Sequence, residues 1–494
     1  MEIKPFFINS NICTNVEDTD NLEAYLKSVA FNIGNSYPTI SIIKQIQGGF
    51  VCPHHIQNIW NYDFSSQEKD IDIINNQCTH VFFMLQDQIR ISEGYNQVLP
   101  FEQIKSFIKK INKPIIVMSI GANQYFDFDV NKNKFIDTRI TEKDFCKHLS
   151  SELIDFLHFL SEHTEILGIR GEYTKQVFAN LNIKNTQVIG CPSFYENGPN
   201  RKIKKVSNNA LKDILILTPY NAFKSNEMWE LPQQSKFNIH YMVQDEYTFL
   251  KAFFSKNYVN LLEKYSSEVL TNCFYFSDIA SWKTFSAKHQ LALGYRIHGS
   301  ILSINSGVPT IFTPPDVKGL EMAEFMHIPH SNLVISNDLD FLSVYEDLDL
   351  SNMNISYNDL FKNYEMFLAA NSVNLYNGKN YDYEEQPKLN LKDNNLVLSN
   401  TICQKELNSL SENNLSIGLL QLDKSLGERI SVEQDFLAKK ILELSSKLDY
   451  LLQQNNKPTF WQHIFSIRNI GNHKIWMIFG IKIKIKRKSR GVQL

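Results

Sequence analysis

The chain has 494 residues, 43 % of them hydrophobic and 12 % aromatic, more than one core holds and ample for globular folding. Its formal charge of −3 is unevenly spread: the last 38 residues carry nine Lys or Arg and no acid, leaving −12 on the preceding 456. An acidic body leaves no broad basic face to track phosphates, which excludes nucleic acid as a main partner. Seven scattered cysteines without a CxxC give neither a zinc ribbon nor a disulfide framework. The opening MEIKPFFINSNICTN lacks the apolar core of a signal peptide, and no run reaches the roughly 18 apolar residues of a membrane span, so a reducing, cytoplasmic setting is expected.

In chain order, apolar strand-like runs alternate with amphipathic helical stretches, the pattern of a parallel sheet covered by helices. The first series is HVFFMLQ from His80, PIIVMSIG from Pro114, EILGIRG from Glu165 and TQVIGCPS from Thr186. Between the last two, EYTKQVFANLNI predicts a helix with Val177, Phe178 and Leu181 on its apolar stripe. The polar, basic NGPNRKIKKVSNNALK from Asn197 then interrupts the pattern and is expected to be an interdomain linker. A second series follows: DILILTPY from Asp213, FNIHYMVQ from Phe237, NCFYFS from Asn272, QLALGYR and PTIFTP. The fold class expected is α/β, with two Rossmann-like domains facing a cleft over residues 1–205 and 206–385. Ligands in such sheets sit at the carboxyl ends of strands, and Arg170, Cys191 to Ser193, Gln244 and Arg296 all follow predicted strands.

Beyond residue 385 Asn, Leu, Ser and Lys dominate. Leu437, Ile441, Leu444, Leu448 and Leu451 follow a 4-3-4-3 spacing, and Leu415, Leu419, Leu422 and Leu426 repeat it upstream. That makes 386–456 a helical segment, either a short coiled coil joining copies of the chain through 415–452 or a helix folded back on the body. Residues 457–494 join Phe460, Trp461, Phe465, Trp476 and Phe479 to the cationic run, the composition of an interfacial anchor on an anionic membrane. IKIKIK has period two, however, so the alternative there is a solvated tail or an edge strand guarded by lysines.

The densest chemistry lies in LALGYRIHGSILSINSGVPTIF, Leu291–Phe312. Arg296 never deprotonates, His298 titrates near working pH, and Gly299 can open a helix whose free N–H groups bind anions. Together they suit an anionic ligand whose chemistry needs proton transfer. Cys191 is rejected as a nucleophile: no His lies near it in sequence, and Pro192 points to a tight turn. His54 and His55 are adjacent without a third partner at ligand spacing, so no metal site is expected.

Three segments, EILGIRGEYTKQVFANLNIKNTQVIGCPSF, FNIHYMVQDE and YRIHGSILSINSGVPTIFTPPDVKGLEMAEFMHIP, resemble the polysaccharide pyruvyl transferase family, as does SVAFNIGNSYPT with Gly34 and Asn35. The resemblance spans roughly residues 30–335. It implies a glycosyltransferase-B-like fold, phosphoenolpyruvate as co-substrate with no cofactor, and a sugar acceptor in a bacterial surface polysaccharide or its lipid-linked precursor. The expected location is then the cytoplasm, or the inner face of the cytoplasmic membrane.

Ketal formation from that donor needs a clamp for carboxylate and phosphate, a proton for the enol carbon, and a base for the sugar hydroxyls. Arg296 is the expected clamp, against an ordinary interdomain salt bridge. His298 resembles the family's histidine and is read as general acid or as a phosphate-orienting donor. Ser300 and the N–H groups from Gly299 to Ile301 are expected to complete the phosphate cradle. Arg170 matches a family position as second cation, with a pairing to Glu172 as the alternative. Gln244 suits a sugar hydroxyl, and Asp245 or Glu246 the base, unless these acids are only helix N-caps. Lys318 is expected at the donor phosphate and Asp316 and Glu321 at the acceptor, against a surface ion pair. Gly34 and Asn35, with Gly121 and Asn123, are expected to face the cleft on the acceptor side, against plain turn chemistry. Two other functions share these residues: a glycosyltransferase using a nucleotide sugar, and a non-catalytic scaffold of a capsule assembly complex.

Overall fold

The computed structural model describes residues 3–10, 33–46, 55–86, 88–91, 99–129, 134–217, 231–232, 235–242, 244, 272–276, 279–333, 335–375, 397–398, 465–470, 473–478 and 481–486. The chain forms two compact units, Met1–Leu407 and Asn408–Leu494.

The first unit holds two α/β lobes. In the first lobe, β1 (Pro5–Ile8), β2 (His80–Met84) and β3 (Ile115–Met118) pair in parallel, with Phe6 opposite Val81 and Val81 opposite Ile115. The parallel pair β4 (Leu167–Ile169) and β5 (Thr186–Val188) joins them through a bridge from Ile120 to Ile169. Every residue of β1 to β4 is buried, as strands covered on both faces require. The covering helices include α1 (Tyr37–Ile46), α2 (Gln67–Gln77), α3 (Phe101–Lys109), α4 (Ser151–Glu162) and α5 (Glu172–Asn180). In α3 the stripe Ile104, Phe107 and Ile108 turns inward. At the start of α4, the Ser150 hydroxyl accepts the Leu153 N–H at 3.2 Å.

The second lobe contains β6 (Asp213–Leu217), β7 (Asn238–Met242), β8 (Cys273–Phe276), β9 (Leu291–Gly294) and β10 (Thr310–Phe312), all parallel, in the order β10-β9-β6-β7-β8. The first strand of this series is therefore central, and β6 and β9 flank the point where the strand order reverses. Such a switch point opens a crevice at the carboxyl edge. Gly294 ends β9 there at φ +150°, and a side chain at 294 would stand 2.2 Å from the Leu217 carbonyl oxygen. Only glycine lets the two strand ends close up in this way. The lobe's helices include α6 (Ile279–Ser286), α7 (Ile297–Asn305), α8 (Val317–Phe325) and α9 (Ser351–Ala370).

Two expectations need correction. The segment from Asn197 does link the two sheets, but as a packed strap. Ile203 is buried and its N–H reaches Asn354 in α9, and the Arg201 guanidinium lies between the Phe194 and Tyr357 rings at 4.0 and 3.9 Å. Stacking on two aromatic faces offsets part of the cost of burying a cation. Secondly, α9 lies within the expected second domain, yet it returns to the first lobe. Its Asn363 amide donates to the Val188 carbonyl, Asn371 bonds the Ile166 backbone, and the Tyr364 hydroxyl donates to Gln45. The lobe boundary expected at 205 therefore separates the sheets but not the helices that cover them.

Residues 386–396 and the leucine seam over 415–452 lie outside the described residues. In the second unit Phe465–Ile470, His473–Ile478 and Ile481–Lys486 form a three-stranded antiparallel sheet, with Trp476 opposite Ile467 and Ile483. IKIKIK is thus a strand, the outcome its period of two favours over a helix. No helix among the described residues is long and apolar enough to cross a membrane.

Candidate active site

Arg296 leaves the carboxyl end of β9 at the switch point and is the N-cap residue of α7. All nine helical residues of α7 are buried. Its Ser300 N–H is already taken by the Arg296 carbonyl at 2.9 Å, so the N–H groups without a helical acceptor are those of Ile297, His298 and Gly299. The expected cradle from Gly299 to Ile301 therefore moves back by two residues. His298 is 5 % exposed, on the first turn. A Cβ at Gly299 would stand 3.1 Å from Gln244 Oε1 and 3.4 Å from the buried Trp282 ring. Glycine thus brings the end of β7 and helix α6 up to the first turn of α7. Among the described residues the buried Ser300 hydroxyl has no hydrogen-bond partner. The turn Ile33–Asn35, carrying Gly34 and Asn35, packs against α7 from the first lobe. Asp245 and Glu246 lie outside the described residues.

A second group gathers around Gly121. A Cβ there would meet Arg170 Cδ and Lys318 Cγ at 3.0 Å and Glu321 Oε1 at 3.5 Å. Arg170 follows β4 in the first lobe, while Lys318 and Glu321 belong to α8, after β10 in the second. Two cations and a carboxyl thus converge across the lobe interface over a residue without a side chain. Asn123 ties the same seam: its amide donates to Asp316 Oδ2 and accepts the Lys318 N–H, both at 3.4 Å. Asp316 is the N-cap of α8, accepting the Gly319 N–H at 2.7 Å, and stands 4.0 Å from Lys318 Nζ. Asn123 and Asp316 are both buried and committed to the seam, so neither presents itself to a sugar as expected.

Glu321 is buried and bound to the first lobe as well. Its two oxygens accept the Thr174 hydroxyl at 2.6 Å and the Thr174 N–H at 2.8 Å, and Gly171 leaves room for its methylenes. Burial pushes its carboxyl up to about 8, against the Thr174 hydrogen bonds and the Arg170 charge. The acceptor role expected for Glu321 thus gives way to a joint between the lobes.

Arg170 is 1 % exposed. Glu172 bonds Lys175 and Gln176 instead, so the expected alternative pairing does not occur. Among the described residues Arg170 Nε has no hydrogen-bond partner, and no carboxylate lies within ion-pair distance of the guanidinium. A buried cation without a counter-ion is costly, and an anionic ligand would relieve that cost. Cys191 is buried beside Ser193, at 3.0 Å, and burial raises its thiol, which fits a packing role. Among the described residues no three ligands gather at a metal-binding spacing.

Sequence reasoning missed a third cluster, beside α7. The buried Glu196 carboxylate accepts from Tyr37 at 2.5 Å and from Lys44 and Lys283 at 2.9 Å each. Burial alone would raise its pKa, but the two lysines and the tyrosine hydroxyl hold it down at about 2. Asn305, ending α7, donates to the Tyr37 oxygen at 2.8 Å and accepts from Arg201 at 2.9 Å. No spacing in the sequence could have signalled this set, since its members come from four separate segments.

No curated protein matches the sequence significantly. Among solved structures, a protein assigned as a UDP-N-acetylglucosamine 2-epimerase from Listeria monocytogenes aligns at 10 % identity over 65 % of this chain and 83 % of its own, with a TM-score of 0.38. HepE from Anabaena, solved with UDP and glucose, aligns at 9 % identity over 75 % of this chain and 97 % of its own, with a TM-score of 0.35. WaaG, a glycosyltransferase involved in lipopolysaccharide biosynthesis, aligns at 14 % identity over 63 % and 91 %, with a TM-score of 0.28. The polysaccharide pyruvyl transferase family model matches residues 55–316, which takes in β2 to β10 and the strand ends bearing Arg170 and Arg296. A match over that share of the chain makes this protein a transferase and a member of the polysaccharide pyruvyl transferase family.

Proposed function

We propose that the chain transfers pyruvyl from phosphoenolpyruvate to a sugar of a bacterial surface polysaccharide or its lipid-linked precursor, forming a pyruvate ketal. The observation that carries this reading is Arg170, buried with no ion pair among the described residues, at the seam where Lys318 also arrives. A small polyanion held by Arg170, Lys318 and Arg296, with its phosphate on the N–H groups of Ile297 to Gly299, would supply the negative charge that these cations suit. His298 then donates the proton that the enol carbon takes up, or orients the phosphate. One sugar hydroxyl adds to C2 as C3 gains a proton. A second hydroxyl displaces the phosphate, which leaves with that hydroxyl's proton. Gln244 and the Gly34–Asn35 turn are proposed for the acceptor side, and Asp245 and Glu246 for the base.

The test is acceptor-dependent phosphate release from phosphoenolpyruvate by the purified chain. Arg296→Ala should lower kcat/KM by about a hundredfold or more, the scale of a lost charge clamp at a transferring phosphate. Turnover of a nucleotide sugar with no response to phosphoenolpyruvate would replace this reading with glycosyl transfer. Unimpaired function in Arg296→Ala would point to the scaffold.

A further inference from the structure

We infer that Thr174 is a positioning residue that holds Glu321 away from Arg170, so that the buried guanidinium stays open to the donor anion. The inference rests on the reading of Arg170 as a donor-binding cation. Glu321 is the carboxyl that reaches this seam with an oxygen near Gly121, where the Arg170 side chain also passes. The Arg170 charge acts on the Glu321 carboxyl, yet among the described residues the two groups make no ion pair. The reason is local. Thr174 lies in the first turn of α5, and both its hydroxyl and its N–H point at the carboxyl, at 2.6 and 2.8 Å. The hydroxyl is itself fixed, because it accepts the Ala122 N–H at 2.8 Å. Gly171, next to Arg170, completes the trap: any Cβ there would lie within 2.7 Å of the Glu321 side chain. The carboxyl is thus seated against the backbone of the residue adjacent to Arg170, with its oxygens committed to Thr174.

A carboxylate freed inside a buried site seeks the nearest unpaired cation, and arginine offers a bidentate fork. Without the Thr174 hydroxyl, Glu321 would turn to Arg170 and compete with the donor for the same guanidinium. The arrangement lets an acid needed to join the lobes sit beside an arginine needed for an anion.

The test compares Thr174→Val, Glu321→Gln and the double variant in full-length protein. Thr174→Val should raise KM for phosphoenolpyruvate by about tenfold or more with kcat little changed, as expected when a competing ion pair must be broken before binding. Glu321→Gln keeps one oxygen to accept from Thr174 but carries no charge to offer Arg170, so its KM should stay near the native value. In the double variant KM should return to within about threefold of native, because the competitor has lost its charge. A double variant as impaired as Thr174→Val would overturn the inference, since Thr174 would then serve only its helix. If the native chain does not turn over phosphoenolpyruvate, the proposed function fails, and the crystal structure of Thr174→Val decides the inference alone. Glu321 within about 4 Å of the Arg170 nitrogens upholds it, and Glu321 still seated against Gly171 overturns it.

Discussion

At the scale of single residues, two buried carboxyls face opposite pressures. Glu321 has its pKa raised to about 8, so its neutral form is favoured in the fold. Its contribution to stability is whole below its ordinary value of 4.5 and is lost as pH rises through about 8. Glu321→Gln cannot titrate, so its urea midpoint should fall less than that of the native chain over that interval. Equal slopes would show that Glu321 is already ionised in the fold. The site residues were legible to different degrees for a physical reason. Arg296, His298 and Arg170 stand at strand ends, and a short apolar run broken by a charged residue is visible in one dimension. Thr174 and Glu196 carry no such mark. Each acquires its chemistry from a partner more than a hundred residues away, and only the closed fold supplies it.

At the scale of elements, the nine strands read from His80 onward coincide with nine observed ones, because fully covered parallel strands are continuous runs of Ile, Val, Leu and Phe. The strand Pro5–Ile8 escaped notice, since four residues behind a lysine form too short a run to stand out. The return of α9 escaped as well, because helical periodicity says which face is buried but not against which sheet. That return has a test in β4. A Cβ at Gly168 would meet Phe367 of α9 at 2.8 Å and Ile189 at 2.7 Å. Gly168→Ala should therefore destabilise the chain by about 1–3 kcal/mol through overpacking, read from the urea midpoint. An unchanged midpoint would mean that α9 does not press on β4 in solution.

At the scale of the whole molecule, charge is segregated: an acidic body and a basic terminal segment. We propose that this segment meets anionic lipid and keeps the enzyme near a lipid-linked acceptor. Each Lys near such a surface is worth about 1 kcal/mol, so exchanging Lys482, Lys484 and Lys486 for Glu should abolish co-sedimentation with phosphatidylserine vesicles at physiological salt. Retention of binding would exclude this segment as the anchor. Within the first unit, Glu196 binds Tyr37 and Lys44 from the first lobe and Lys283 from the second. Glu196→Gln should cost about 3–5 kcal/mol at neutral pH, because it leaves two lysines around a group that no longer answers them. Since the native carboxyl sits at about 2, its contribution is present above 4.5 and fades as the solution is acidified below that, the reverse of Glu321.

The same carboxylate governs how anything gets in. Swinging the lobes apart would part that buried charge from Lys283, one of its three donors, and breaking a buried pair is costly. The jaws are therefore riveted at that charge, and gaping on a wide hinge is opposed. Admission is then left to smaller movements, ones that let a sugar pass while Lys283 keeps hold of its partner.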